Sequence, residues 1–429
     1  MFGLRQRLTS GRSRDAMWTG VGTLLGAVAV LGSLAILTVV LSPEQFGVYA
    51  GVVSAGGILL GFAVFGSGEA MLLGLRSADL TASVGEANSI ARIWGRGLGT
   101  ALLASLVCFG VLMAATAVIL PDVSPSLIAA LAAAEYLASG VGTVNVQLLR
   151  GLGRFKEGAL TSTFVFGARP VAAASLFFVD QPELRHYAVV NLVGAVVVSA
   201  ATTGWVVRSF GWPRLSIPTT TADYRQGGAI ALGQTSTSVS AGIDQTLLLR
   251  AGFERDNGLY GVGVRIVSYS LLPASAVTTT IYPEFFSKGA EGIEATVAFA
   301  RRMAKPMVTY GLVILPPLWI GALIVEWLLG NDYDGVAVVI WSMSGFPVLR
   351  IMQSLMGDAL KGVGRFGAVS GAIMVTALTN VVLNLWWIPE HSWKGAAVAT
   401  YVSELLYLIL LVVALRRARS VIPEQVKPH

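Results

Sequence analysis

Charge is what this chain most lacks. Only 13% of its 429 residues are Asp, Glu, Lys or Arg, while 54% are apolar and the mean hydropathy is +0.70. Soluble domains carry about twice that charged fraction. A soluble globule could not bury so much apolar surface, and a disordered chain would not contain it, so both classes are excluded. Cysteine is nearly absent. Cys108 stands alone inside an apolar run, which rules out a disulfide framework, a thiolate metal cluster and a CxxC redox pair, and leaves a lipid-facing or packed side chain. Histidine is scarce as well, with His186, His391 and His429 only. No nucleophile and base pair and no metal-ligand spacing is found, which argues against an enzyme. Long polar stretches are missing too, so little of the chain is left for a soluble catalytic domain.

What the chain has instead is a series of apolar runs. They fall at 17–40, 47–73, 96–120, 126–149, 159–179, 187–207, 228–250, 259–285, 306–329, 335–358, 366–388 and 393–414. Each is long enough, at about 1.5 Å per residue, to cross a hydrocarbon core of about 30 Å. The expected class is an all-α integral membrane protein of about twelve transmembrane helices. The first run follows a basic stretch but is too long for a signal-peptide core and leads straight into a second run, so it reads as a retained helix. Trp18, Trp94, Trp205, Trp327, Trp386, Trp387 and Trp393 sit toward run ends, as interfacial anchors would.

The basic residues are distributed unevenly. Of 30 Lys and Arg, 23 lie in the N-terminal arm and alternate connecting segments, four in the opposite set, and Arg169, Arg265 and Arg350 inside runs. Cytoplasmic loops of membrane proteins collect Lys and Arg, so both termini are expected in the cytoplasm, in agreement with an even helix count. The net charge of +6 is thereby a topology signal, and nucleic acid is not an expected partner. Segment 287–305 is amphipathic, with Ile293, Val297 and Ala300 on one face, and reads as a connector lying along the membrane surface.

An internal repeat organises the chain. Residues 149–155 read LRGLGRF and 360–366 read LKGVGRF, at an offset of 211. At the same offset Gly47, Val48 and Tyr49 lie over Gly258, Leu259 and Tyr260. The expected organisation is a basic arm (1–16), a six-helix lobe (17–210), a linker (211–227), a second six-helix lobe (228–415) and a tail (416–429). Six helices per unit is an even number, which makes the two lobes parallel repeats around a central cavity. The glycines of R-G-x-G-R-F suit a chain reversal at a helix end, and with their arginines they also suit an anion.

Ionisable groups inside a bilayer cost about 2.5 to 3.5 kcal/mol each on insertion scales and so face a cavity or a partner. They are Glu69, Glu135, Arg169, Asp244, Arg265, Arg350 and Glu404. At the repeat offset Arg169 falls on Asn380, Arg265 on Ser54, Arg350 on Ser139 and Asp244 on Ser33. Charge in one lobe facing a neutral residue in the other marks these positions, either as a site or as structural ion pairs such as Asp244 with Arg265. Arg169, Arg265 and Arg350 lining a cavity would suit phosphate, which a guanidinium grips with two parallel hydrogen bonds.

The stretch LSPEQFGVY (41–49), its counterpart GLYGVGVRI (258–266), the paired RGLGRF and KGVGRF, and GAAVAT (395–400) resemble the polysaccharide-transporter branch of the multidrug/oligosaccharidyl-lipid/polysaccharide exporter superfamily. The resemblance covers nearly the whole chain. It implies an alternating-access flippase of the plasma membrane that exports a polyprenyl-pyrophosphate-linked oligosaccharide for surface polysaccharide biosynthesis, with glycan-assembly enzymes as candidate partners. The chain is also similar to the flippase of the lipid-linked peptidoglycan precursor, but lacks that family's two additional C-terminal helices. This second resemblance implies a cation site at Asp244, Asn380, Asn384 and Thr400, with sodium or proton coupling and no other cofactor. Oxygen ligands of this kind suit a hard cation. The rival readings are a drug or cation antiporter of the same superfamily and a membrane glycan polymerase or ligase.

Overall fold

A computed structural model describes residues 2–65, 67, 71, 75, 86–217 and 221–420. Its regular structure there is helical throughout. The chain folds as two compact units, Met1–Ser238 and Val239–His429. Unit 1 contains α1 (Phe2–Val40), α2 (Pro43–Val64), α3 (Glu86–Ile119), α4 (Pro125–Leu137), α5 (Thr143–Gly151), α6 (Phe155–Ser175) and α7 (Leu184–Phe210). A π-helical turn, Ala138–Gly142, joins α4 to α5. The helix α8 (Thr221–Arg250) begins in unit 1 and ends in unit 2. Unit 2 continues with α9 (Glu254–Tyr269), α10 (Leu272–Gly289), α11 (Ile293–Val313), α12 (Leu315–Leu329), α13 (Val336–Met343), α14 (Phe346–Gly362) and α15 (Phe366–Ser420).

Nine helical stretches among the described residues are long and apolar enough to span a membrane. One of them, 366–419, holds two of the expected spans in sequence, broken at Ser392, whose φ of 51° and ψ of −135° lie outside helical geometry. Two further expected spans form helices too short or too polar to join the nine: α8, and α9 with α10. The twelve expected spans are thus all helical where described. Their surfaces explain the composition. Phe178, Val118, Val171 and Leu106 are among many large apolar side chains left largely exposed, a surface that water would not tolerate and lipid does.

Within unit 1, Trp94, Leu98, Val144, Leu148 and Val206 form one core, and Cys108 packs with Leu112 and Tyr136 in another. Cys108 is therefore packed filler. Trp94 is fully buried and donates its indole N–H to Asn145 Oδ1 at 3.1 Å. It is not an interfacial anchor, because an amide inside the unit gives its polar edge a partner that a membrane interface would otherwise supply. Trp327 and Trp386 are well exposed.

The amphipathic segment of unit 2 does not lie apart as a surface connector. Residues 293–313 form one continuous helix, and Ile293 and Val297 pack against Leu360, Val369 and Leu411. Covering that stripe with neighbouring helices buries it more completely than a headgroup layer would.

The chain reversals at the repeated motif share one geometry. Arg154 N–H donates to Leu149 O at 2.8 Å and Gly153 N–H to Arg150 O at 3.0 Å, with φ of +74° at Gly153. Arg365 N–H to Leu360 O and Gly364 N–H to Lys361 O repeat this at 3.0 and 2.9 Å, with φ of +77° at Gly364. These are Schellman caps, for which glycine is preferred because the left-handed conformation carries no Cβ penalty there. Arg154 is bound to Glu157 at 2.6 Å. In this geometry the motif ends a helix.

The segment after α7 runs against α3. Arg214 N–H donates to Ala91 O at 3.1 Å and Ser216 N–H to Gly95 O at 3.4 Å. A methyl group on Gly95 would stand 2.2 Å from the Arg214 carbonyl oxygen. Gly95→Ala is expected to push this segment off the helix, lowering stability by about 1 to 3 kcal/mol. Limited proteolysis in detergent should then cut within 211–217, and a cleavage pattern unchanged from wild type would refute the contact.

Candidate functional site

Each unit carries its own intramembrane charge cluster. In unit 1, α4 presents Glu135 and α6 presents Arg169, and Arg169 Nη2 meets Glu135 Oε2 at 2.6 Å. The Phe166 ring lies 5.8 Å from the Arg169 guanidinium carbon. Tyr49 and Tyr187 pack edge to face at 5.6 Å and lie close enough to Arg169 to feel its charge. Both ion-pair side chains are mostly buried, so charge neutralisation occurs where water screens little.

In unit 2, Arg350 of α14 meets Glu404 of α15 at 3.0 Å. Glu404 is almost fully buried and also accepts from Gln353 Nε2, through its carboxylate at 2.7 Å and its main-chain carbonyl at 2.9 Å. The Arg350 guanidinium carbon lies 4.9 Å from the Phe346 ring centroid. Arg265 of α9 donates to Gly261 O at 3.2 Å and Gln245 Oε1 at 3.4 Å.

Asp244 of α8 is held by hydrogen bonds to its carboxylate. It accepts from the Tyr260 hydroxyl at 2.7 Å and from the Gln245 N–H at 2.8 Å. The helix turn that puts Tyr260 opposite Asp244 leaves Arg265 more than one turn further along α9, where a glutamine and a carbonyl are in reach. Asp244, Tyr260, Asn380, Asn384 and Thr400 are all buried. Asn384 Nδ2 donates to Asn380 Oδ1 at 3.0 Å, Asn380 Nδ2 to Ser403 Oγ at 3.0 Å, and Ser403 Oγ to Thr400 O at 3.0 Å. Thr400 Oγ1 has the Tyr260 hydroxyl beside it. One oxygen of this cluster, Asn384 Oδ1, is buried without a hydrogen bond. A buried oxygen left so is costly unless something electropositive meets it.

The structure therefore brings Arg169 to Glu135 and Arg350 to Glu404, both of which the sequence marks as charges without pairing them. Glu69 lies outside the described residues. Tyr260 and Gln353 were missed as members of these clusters. The signal for Tyr260 was present, because it is the repeat counterpart of Tyr49, and each of these tyrosines abuts the intramembrane charge of its own unit. Two buried polar residues serve the scaffold: Asn145 is committed to Trp94, Thr202 and Thr203, and Gln353 to Glu404.

Residues 13–288, more than half of the chain, match the polysaccharide biosynthesis protein family. The chain belongs to that family. Among curated relatives it is 22% identical over 151 residues to a probable low-salt glycan biosynthesis flippase, Agl15, from Haloferax volcanii; the match spans 34% of this chain and 31% of the relative. Among solved structures it resembles a multidrug resistance MATE family transporter of the MOP superfamily in an inward-facing conformation. That likeness has a TM-score of 0.72 at 13% identity and covers 94% of this chain and 100% of that one. It also resembles a MOP superfamily transporter from Pyrococcus furiosus, described as having a binding pocket of reverse polarity, with a TM-score of 0.60 at 14% identity over 95% and 96% of the two chains. At such identities the likeness establishes the fold: a multi-pass membrane protein built as MOP-superfamily transporters are.

Proposed function

We propose that this protein is an alternating-access flippase that carries a polyprenyl-pyrophosphate-linked oligosaccharide from the cytoplasmic to the outer leaflet of the plasma membrane, both its termini being cytoplasmic. The observation that carries the reading is the presence of Arg169, Arg265 and Arg350 within membrane-embedded helices of a polysaccharide biosynthesis family member. Guanidinium groups there are expensive and match a pyrophosphate. The Haloferax relative, described as a glycan biosynthesis flippase, supports the same cargo class.

Transport of this kind forms and breaks no covalent bond. An inside-negative potential of 100 mV is worth about 2.3 kcal/mol per charge, so exporting a head group with roughly two net negative charges runs downhill by about 4 to 5 kcal/mol. Occluding an empty cavity with bare arginines during the return would cost their desolvation. Glu135 and Glu404 answer this difficulty: with cargo gone, each pairs its arginine and the returning cluster is nearly neutral. A sodium ion would be held by Asp244, Asn384 and Thr400, where it would supply positive charge to a buried carboxylate.

Deleting the gene in its host tests the reading through extracted lipids and surface polysaccharide. Completed polyprenyl-pyrophosphate glycan should accumulate in the inner leaflet while surface polymer is lost. Normal lipid pools with altered drug sensitivity would overturn it in favour of an antiporter. Single repeat units reaching the surface unpolymerised would overturn it in favour of a polymerase or ligase.

A further inference from the structure

Unit 2 carries a second feature, away from its intramembrane charges. A groove of about 230 Å³ runs between α11, α14 and α15, lined by Met352, Leu355, Met356, Val412 and Leu415 among others. Arg301, Arg416 and Arg419 also line it, and no carboxylate does. Arg301 and Arg416 are solvent-accessible. Arg419 is partly buried and reaches Glu294 at 3.0 Å, on the rim. All three arginines belong to segments that the basic-residue distribution assigns to the cytoplasmic side, which puts them at headgroup level.

The repeat supplies an internal comparison. Unit 1 has a groove of about 590 Å³ that includes Val141, Gly204 and Arg208. At the offset of 211 these are Met352, Leu415 and Arg419, so the two grooves share three lining positions, one of them an arginine. The positions of Arg301 and Arg416 are Ile90 and Trp205 in unit 1. Arg301 and Arg416 thus have no basic counterpart in unit 1.

We propose that the groove between α11, α14 and α15 binds an anionic phospholipid of the cytoplasmic leaflet, its phosphate on Arg301 and Arg416 and an acyl chain along the methionines and leucines. An apolar trough ending in cations matches an amphiphile of opposite charge and not a free anion, which would leave the trough bare. Methionine side chains adapt readily to an irregular flexible chain. The proposal is independent of the cargo assignment, since an antiporter of the same fold would carry the same groove.

The test uses the purified full chain, with phosphatidylglycerol and phosphatidylcholine supplied at equal concentration and retained lipid counted by native mass spectrometry. Wild type is expected to retain phosphatidylglycerol preferentially. The double substitution R301Q/R416Q should weaken phosphatidylglycerol retention on the order of thirtyfold and leave phosphatidylcholine unchanged. R301K/R416K should keep most of the preference and shows that loss in the glutamine variant is not misfolding. R208Q, on the unit 1 trough, should keep it too. Equal retention of the two lipids by wild type, no loss in R301Q/R416Q, or displacement of phosphatidylglycerol by equimolar polyprenyl phosphate would each overturn the assignment.

Discussion

Arg169→Ala is expected to abolish transport and to lower stability by about 3 to 5 kcal/mol, because Glu135 stays behind as an unpaired charge in a site that water hardly reaches. The double variant R169A/E135A removes both charges and should regain most of the stability, since a buried pair replaced by neutral groups is often close to neutral overall. Thermal unfolding in detergent measures the stability, and flipping of a labelled polyprenyl-pyrophosphate lipid in vesicles the transport. The two readouts separate the roles. A cargo-binding arginine leaves the double variant stable and inactive. A merely structural pair leaves it stable and active, and that result would remove Arg169 from the cargo site. The parallel cycle with Arg350 and Glu404 should show a smaller stability loss for Arg350→Ala, because Gln353 still donates to the Glu404 carboxylate.

The second large effect concerns Asp244. If Asp244, Asn384 and Thr400 hold a cation, sodium at 100 times its dissociation constant should stabilise the wild-type protein by about 2.7 kcal/mol. Asp244→Asn keeps the size of the side chain and an oxygen for the Tyr260 hydroxyl, yet removes the charge. It should eliminate the sodium-dependent stabilisation entirely and reduce sodium-stimulated transport at least tenfold. Thr400→Val deletes one buried oxygen and should weaken the sodium response without abolishing it. Wild-type protein that melts at the same temperature in sodium and in potassium would dispose of the site, whatever the variants do.

The two charge clusters differ in how far they could be read from the chain. Asn380 and Asn384, and Ala396 and Thr400, stand at i,i+4, a helical spacing that puts each pair on one face; their convergence with Asp244, some 140 residues away, has no local signal. Pairing Arg169 with Glu135 requires that α4 and α6 face each other at one depth, which neither helix's sequence states. Tyr260, between Asp244 and Arg265 in the chain, donates to the Asp244 carboxylate, and no local pattern announces that bond. Trp94 was misread for a related reason: its position at a span end is what an interfacial anchor shows, and only the burial of Asn145 distinguishes the two.

Composition and periodicity by themselves determined that the chain is an all-helical membrane protein, where its spans fall and on which side its basic loops are expected. They suffice because transfer of apolar runs into lipid and exclusion of charge from it act on each segment separately. The repeat added the helix-ending turns, since a glycine in the left-handed conformation is a local requirement. Which intramembrane charges pair, which oxygens are left without donors, and that one trough of two carries three arginines were decided only by the tertiary structure. These are relations among helices distant in sequence, and the energies that select them arise on contact.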